Sequence, residues 1–135
     1  MNNKILKIGI ISREDYQKRT IAIARGAYKP KSDEPKIWFE SLQSMAQVLS
    51  NENRELLKVI INNKPNSLKE LETVTGKKSS NLSRTLSMMA RYGIVKLERH
   101  SRNIRPVVMA TDFKVEFGIN SPMKCPTENN LFHQI

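Results

Sequence analysis

Ser79-Ser80-Asn81-Leu82-Ser83-Arg84-Thr85-Leu86-Ser87-Met88-Met89-Ala90-Arg91 is the stretch on which the fold turns. Its apolar residues recur three and four apart, the spacing of a helix with one buried side. At about 100 degrees per residue, Leu82, Leu86 and Met89 fall together, whereas Ser80, Arg84, Ser87 and Arg91 fall opposite, flanked by Asn81 and Ser83. The polar side contains no acid, although a generic solvated helix mixes glutamate among its cations. Ser79 or Ser80 is expected to cap the helix, and Gly93 to close it after Tyr92. Met88-Met89 reads as core and rim rather than a ligand-binding box.

Working outward, two helices precede this one, the second of them short. Ser50 or Asn51 can cap a helix whose Leu56, Leu57, Ile60 and Ile61 form a stripe before Asn63-Lys64-Pro65 ends it. Ser67 and Glu70 match a capping box, Leu68, Leu71 and Val74 give the next inner face, and Gly76 offers a left-handed C-cap. After Gly93, Ile94 to Leu97 and Pro106 to Ala110 are strand-like runs flanking the basic segment Arg99 to Arg105, which reads as a hairpin with a charged tip. Three helices with a glycine turn between the second and third, then a hairpin, is the order of a winged helix-turn-helix, a three-helix core plus a β-hairpin wing. The fold class expected is therefore α+β.

Charge points to the class of partner. The 135 residues carry a formal net charge of +10 and a pI near 10.0. Between Lys77 and Arg105 eight cations face the single acid Glu98. A helix seated in a DNA groove must keep negative charge away from phosphates, and serine, asparagine and arginine are suited to base edges and backbone. Ser80, Asn81, Ser83, Arg84 and Ser87 are thus expected to face the major groove. Lys77, Lys78 and Ser79 stand at the helix start, where free backbone NH groups favour a phosphate. Arg99, Arg102 and Arg105 would form the wing and position the protein on the backbone. The alternative, an RNA- or single-strand-binding module, needs stacking aromatics, and none sits on the basic side of this helix.

Phe39-Glu40-Ser41-Leu42, Val48-Leu49-Ser50 with Arg54-Glu55-Leu56-Leu57, Ser67-Leu68-Lys69-Glu70-Leu71, Asn81-Leu82-Ser83-Arg84-Thr85-Leu86, Tyr92-Gly93-Ile94-Val95 and Arg105-Pro106-Val107-Val108 resemble the plasmid-type antitoxin-like winged-helix regulators, near the MarR and ArsR families. The resemblance covers Trp38 to Phe117. It implies a homodimer on a pseudo-palindromic operator, acting as a repressor, and a toxin protein as partner.

Residues before Ile37 match no such pattern. Lys4 to Ile11 reads as a strand, and Ser12 caps a helix running towards Gly26. Lys29-Pro30-Lys31-Ser32-Asp33-Glu34-Pro35 has the composition of a linker or exposed loop. Residues 1–36 are expected to form a strand-helix arm for dimerisation or partner binding, residues 37–117 the DNA-binding domain, and residues 118–135 a polar tail. A helix is expected from Glu40 to Leu49, with Trp38 and Phe39 anchoring a core or dimer seam, and a last strand near Phe113 to Phe117.

Several classes are set aside. No apolar run is long enough for a membrane span, and Lys7 interrupts any secretory segment, so a cytoplasmic protein is expected. Cys125 stands alone, which agrees with a reducing compartment. His100 and His133 lack partners at metal-ligand spacing, no glycine-rich phosphate loop occurs, and Glu14 and Asp15 have no matching carboxylates downstream. Neither metal, cofactor nor enzymatic activity is expected.

Overall fold

The computed structural model describes residues 4–119. The tail expected over 118–135, with Cys125 and His133, lies from residue 120 onward outside the described residues. The fold is α+β, with five helices, one three-stranded sheet and one two-stranded sheet among the described residues. No helix there is long and apolar enough to cross a membrane, and no group of three or more potential metal ligands is assembled.

Two compact units divide the described residues, one built on residues 46–112 with residues 4–5, the other on residues 6–45 with residues 113–119. A lone strand cannot satisfy its backbone, so β1 (Ile5–Ile10) recruits β2 (Ile37–Phe39) and β5 (Asp112–Glu116) into a sheet of order β2-β1-β5. The strand over 37–39 is too short, at three residues, to show a periodic pattern in the sequence. β1 and β2 run parallel, with Ile8 opposite Ile37 and Ile10 opposite Phe39. A parallel pair needs a crossover, supplied by α1 (Arg13–Ala24), whose cap Ser12 accepts from the Asp15 NH at 3.2 Å as expected.

Ile8, Ile37 and Phe39 are buried in this sheet unit. Gly9 lies opposite Trp38, and a Cβ there would stand 2.7 Å from the ring's Cε3 and 3.0 Å from Pro35 Cγ, so only glycine admits the ring. The guanidinium of Arg19 sits 4.9 Å from the Trp38 ring centroid. The segment Lys29 to Pro35, expected to be an exposed loop, turns inward instead at Glu34 and Pro35, both buried. Glu34 is surrounded by donors: Oε1 accepts from the Tyr28 hydroxyl, Oε2 accepts from the Lys31 NH at 2.6 Å, and Arg19 pairs with it at 3.7 Å. A buried carboxylate is tolerated when hydrogen bonds and a cation replace its water.

The second unit holds α3 (Asn51–Asn63), α4 (Leu68–Thr75), α5 (Ser79–Arg91) and the antiparallel ribbon β3 (Val95–His100) and β4 (Asn103–Val108). Leu56, Leu57, Ile60, Leu71, Leu82, Leu86, Met89, Ile94, Val95 and Val108 form its core. α4 packs on α3 and α5, β3 on α5, and β4 on α3 and α4. The caps follow the sequence closely. Ser50 accepts from Asn53 NH, Ser67 accepts from Glu70 NH, and Gly76 closes α4 with φ 75°. Glu70 departs in one detail, reaching back to the NH of Asn66 at 2.6 Å, one residue before the cap. Between the units in sequence, α2 (Leu42–Val48) starts two residues later than expected, because Ser41 Oγ accepts from Ser44 NH at 3.0 Å and acts as the cap.

Two outcomes test the sheet unit. Gly9→Ala should destabilise the protein by roughly 1–3 kcal/mol in denaturant unfolding, since the methyl must displace Trp38; an unchanged midpoint would remove the close approach. Burial, then the hydrogen bond to Glu34 and its charge, push the Tyr28 hydroxyl up to about 12 from its ordinary 10.0. The folded value lies above the unfolded one, so this contribution is whole below pH 10 and is lost as pH rises towards 12. Alkaline unfolding followed at rising pH should show this loss in the wild type and not in Tyr28→Phe.

Candidate nucleic-acid interface

Burial of Leu82 and Leu86, each 1% exposed, and Met89, 0% exposed, fixes the rotation of α5. The polar side therefore points outward. Ser80, Asn81, Ser83, Arg84, Ser87 and Arg91 are all exposed, as helical geometry requires of residues displaced from the apolar stripe. No acid interrupts that face along the helix.

The start of α5 differs from expectation. Neither Ser79 nor Ser80 caps it; Lys78 occupies the cap position and makes no side-chain cap hydrogen bond. Ser79 is the first helical residue, and its hydroxyl donates to the Glu72 carboxylate of α4 instead. The tight turn through Gly76 brings the last turn of α4 beside the first turn of α5, so this acid, seven residues away, captures the hydroxyl. Lys77 is drawn aside too, its Nζ lying 2.7 Å from Glu52 Oε1 on α3. The hydrogen bond from Lys77, together with its charge, holds the Glu52 carboxyl below its ordinary range. Lys78 stays exposed. Glu52, Lys77, Lys78 and Asn81 help line a polar groove of about 430 Å³ between the N-terminal ends of α3 and α5.

The ribbon is longer and its tip shorter than the sequence suggests. Only Ser101 and Arg102 lie between β3 and β4, and Ser101 takes a left-handed φ of 59° to close the turn. Arg99 and Arg105, expected in the tip, belong to the strands. Arg99 faces Ile104 across the ribbon, whereas Arg105 faces Glu98. Directly opposed residues share a face and neighbours along a strand alternate, so Arg99 and Arg105 project to opposite sides. Arg105 pairs with Glu98 at 2.9 Å, and Lys96 approaches the same carboxylate at 3.7 Å. Among the described residues, Arg105 Nε is buried without a hydrogen-bond partner.

Eleven residues are expected in the interface, and the structure sorts them. Ser80, Asn81, Ser83, Arg84 and Ser87 share the exposed face of α5, with Lys78 exposed at its start and Arg99 and Arg102 exposed on the ribbon. Lys77, Ser79 and Arg105 are engaged by Glu52, Glu72 and Glu98. Arg91 joins the outward set, legible from its helical position. Glu52 and Glu72 lie outside the basic window, so counting charge along the chain misses them. Glu98 lies inside it, but its pairing with Arg105 follows only once the hairpin register is centred on Ser101 and Arg102.

A second groove, about 360 Å³ and mainly apolar, runs along β4 beside the C-terminal end of α3, lined by Ile60, Ile61, Pro65, Pro106, Val107 and Val108 with Lys64 and Arg105 at its margin.

The hydrogen bond from Arg105, reinforced by the charges of Arg105 and Lys96, holds the Glu98 carboxyl below its ordinary range. A carboxyl lowered on folding contributes stability above its unfolded value that fades as pH falls through the folded value. In Arg105→Ala the Glu98 titration, followed by carboxyl-carbon NMR, should move up towards the ordinary range. An unmoved titration would show that Arg105 is not held by Glu98 in solution.

Residues 48–115, which take in α3, α4, α5 and the ribbon, match the model of the family described as HVO_A0114. No curated protein and no solved structure matches the chain. The matched span is half of the 135 residues, and the chain belongs to the HVO_A0114 family.

Proposed function

We propose that the protein is a sequence-specific double-stranded DNA-binding transcriptional regulator with a winged helix-turn-helix, acting as a homodimeric repressor. One observation carries the reading: the outward face of α5 is polar, cationic and free of acid, held out by a fully buried opposite face. A helix of this kind fits the major groove, where serine and asparagine side chains reach base edges and arginine can bond guanine O6 and N7 together. In this reading Ser80, Asn81, Ser83, Arg84 and Ser87 read bases.

The β3–β4 ribbon is the wing, and Arg99 and Arg102 are its free cations for the phosphate backbone. Lys78 replaces Lys77 as the phosphate contact at the helix start, because Lys77 is already neutralised by Glu52. Arg105 supports the ribbon through Glu98 rather than reaching DNA. Two-fold symmetry of the dimer would place half-sites about one helical turn apart. A toxin protein whose operon the dimer represses is the partner suggested by the resemblance to antitoxin-like regulators.

A duplex selected from a random library is the probe, compared with random duplex and with single-stranded RNA across a salt series. Arg84→Ala should weaken binding to the selected duplex by roughly 1–3 kcal/mol and relax preference at one base pair. Arg102→Ala should weaken selected and random duplex alike and lower the salt slope by about 1. Equal loss on selected and random DNA for Arg84→Ala would remove its assigned role, and tighter binding to single strands than to duplex would favour the RNA alternative.

A further inference from the structure

Between α1 and β2 the sheet unit carries a basic loop that the α5 reading does not use. Arg25, Lys29, Lys31 and Lys36 are exposed there, and no ion pair engages them among the described residues. Asp33 is the one exposed acid in the same stretch, since Glu34 is buried and matched by Arg19. The other cations of this unit are partly cancelled: Lys7 pairs with Glu116 at 3.4 Å and Arg13 with Glu40 at 4.0 Å.

The loop is held in shape. Ala27 NH and Tyr28 NH both donate to Ala22 O, closing the end of α1. Tyr28 then donates to one Glu34 oxygen while the Lys31 NH donates to the other, so Lys29-Pro30-Lys31 is a short span pinned at both ends. Pro30 sets its own φ and removes further freedom. A flexible cationic loop would serve solubility equally well, without burying a carboxylate to restrain it. Fixing cations in advance lowers the ordering entropy of binding a polyanion, which matters only where something is bound.

We infer that the pinned Lys29–Pro30–Lys31 loop, with Arg25 at its base, is a second contact surface for nucleic-acid phosphates. It touches backbone rather than bases, because lysine is a point charge without a fork to read base edges. The identity of the polyanion as duplex DNA rests on the proposed function above.

The test uses the full chain, with Lys29→Ala and Lys31→Ala combined, beside Arg84→Ala and a control in which both lysines become arginine. Circular dichroism and thermal unfolding confirm that each variant folds. In the double alanine variant, the slope of log affinity against log salt should fall by about 1.8, near 0.9 for each phosphate no longer neutralised, on selected and random duplex alike. The arginine control should keep the wild-type slope. An unchanged slope in the double alanine variant, with duplex binding intact, overturns the inference and leaves the α5 reading standing. A lowered slope alongside an Arg84→Ala variant of wild-type specificity keeps the loop and overturns the α5 reading. Loss of binding to phosphatidylserine vesicles with duplex affinity unaltered assigns the loop to membranes and overturns it. Absence of duplex binding by the wild type at low salt removes both.

Discussion

Three side chains, Leu82, Leu86 and Met89, are driven out of water on one side of α5, and the arrangement of the unit around it follows from that burial. Each contributes roughly 1.5–3 kcal/mol when fully buried, a large share of the 5–15 kcal/mol by which a folded domain exceeds its unfolded chain. Turning the helix by one residue would swing Leu86 towards solvent and bring polar positions inward, leaving buried groups without partners at several kcal/mol each. The orientation of Ser80, Arg84, Ser87 and Arg91 is thus set by residues on the opposite side of the helix. Gly76 completes the constraint, since its left-handed φ of 75° lets α4 end and α5 begin within three residues.

Electrostatics then edits the surface that packing presents. Three acids, Glu52, Glu72 and Glu98, stand at the margins of the basic face and engage Lys77, Ser79 and Arg105. The two ion pairs among these, Lys77 with Glu52 and Arg105 with Glu98, lie near the surface and contribute little to stability, so their main consequence is local charge. They withdraw Lys77 and Arg105 from the outward potential and leave Lys78, Arg84, Arg91, Arg99 and Arg102 to generate it. The cationic field is consequently narrower than the basic run from Lys77 to Arg105 suggests. It centres on the exposed side of α5 and on the outer part of the ribbon.

What can be read in one dimension is what is decided within a few residues. Ser12, Ser50, Ser67 and Gly76 cap the helices their positions in the sequence imply, because a cap is a hydrogen bond or a dihedral angle spanning at most four positions. The apolar stripes of α3, α4 and α5 are legible for the same reason. The end of α5 nearest Gly76 is not, since Glu72 competes for Ser79 only after the turn has folded. Lys77 and Glu52 are 25 residues apart, and no local pattern links them. The ribbon lies between these cases: its existence is plain from β-branched runs, but a basic composition disguises strand residues as a tip. Three-residue β2 carries too little pattern to be seen, and it becomes a strand because β1 offers it a parallel edge.

Glu34 illustrates the same limit from the other direction. In the sequence it belongs to a run of charge and proline whose composition is that of solvated loops, yet it is 9% exposed. Its burial depends on Tyr28 and Lys31 nearby and on Arg19 earlier in the chain, which itself lies over Trp38. A buried ion pair of this sort is weak evidence for stability, because removing both charges from water costs about what their attraction returns. Its physical effect is selectivity among conformations. A loop that moved Glu34 away from these donors would strand Arg19 against an aromatic ring without its counter-charge, and one that left Glu34 buried elsewhere would strand the carboxylate. Few backbone paths between α1 and β2 avoid both penalties, so a segment with the composition of a flexible linker is held to a narrow set of shapes.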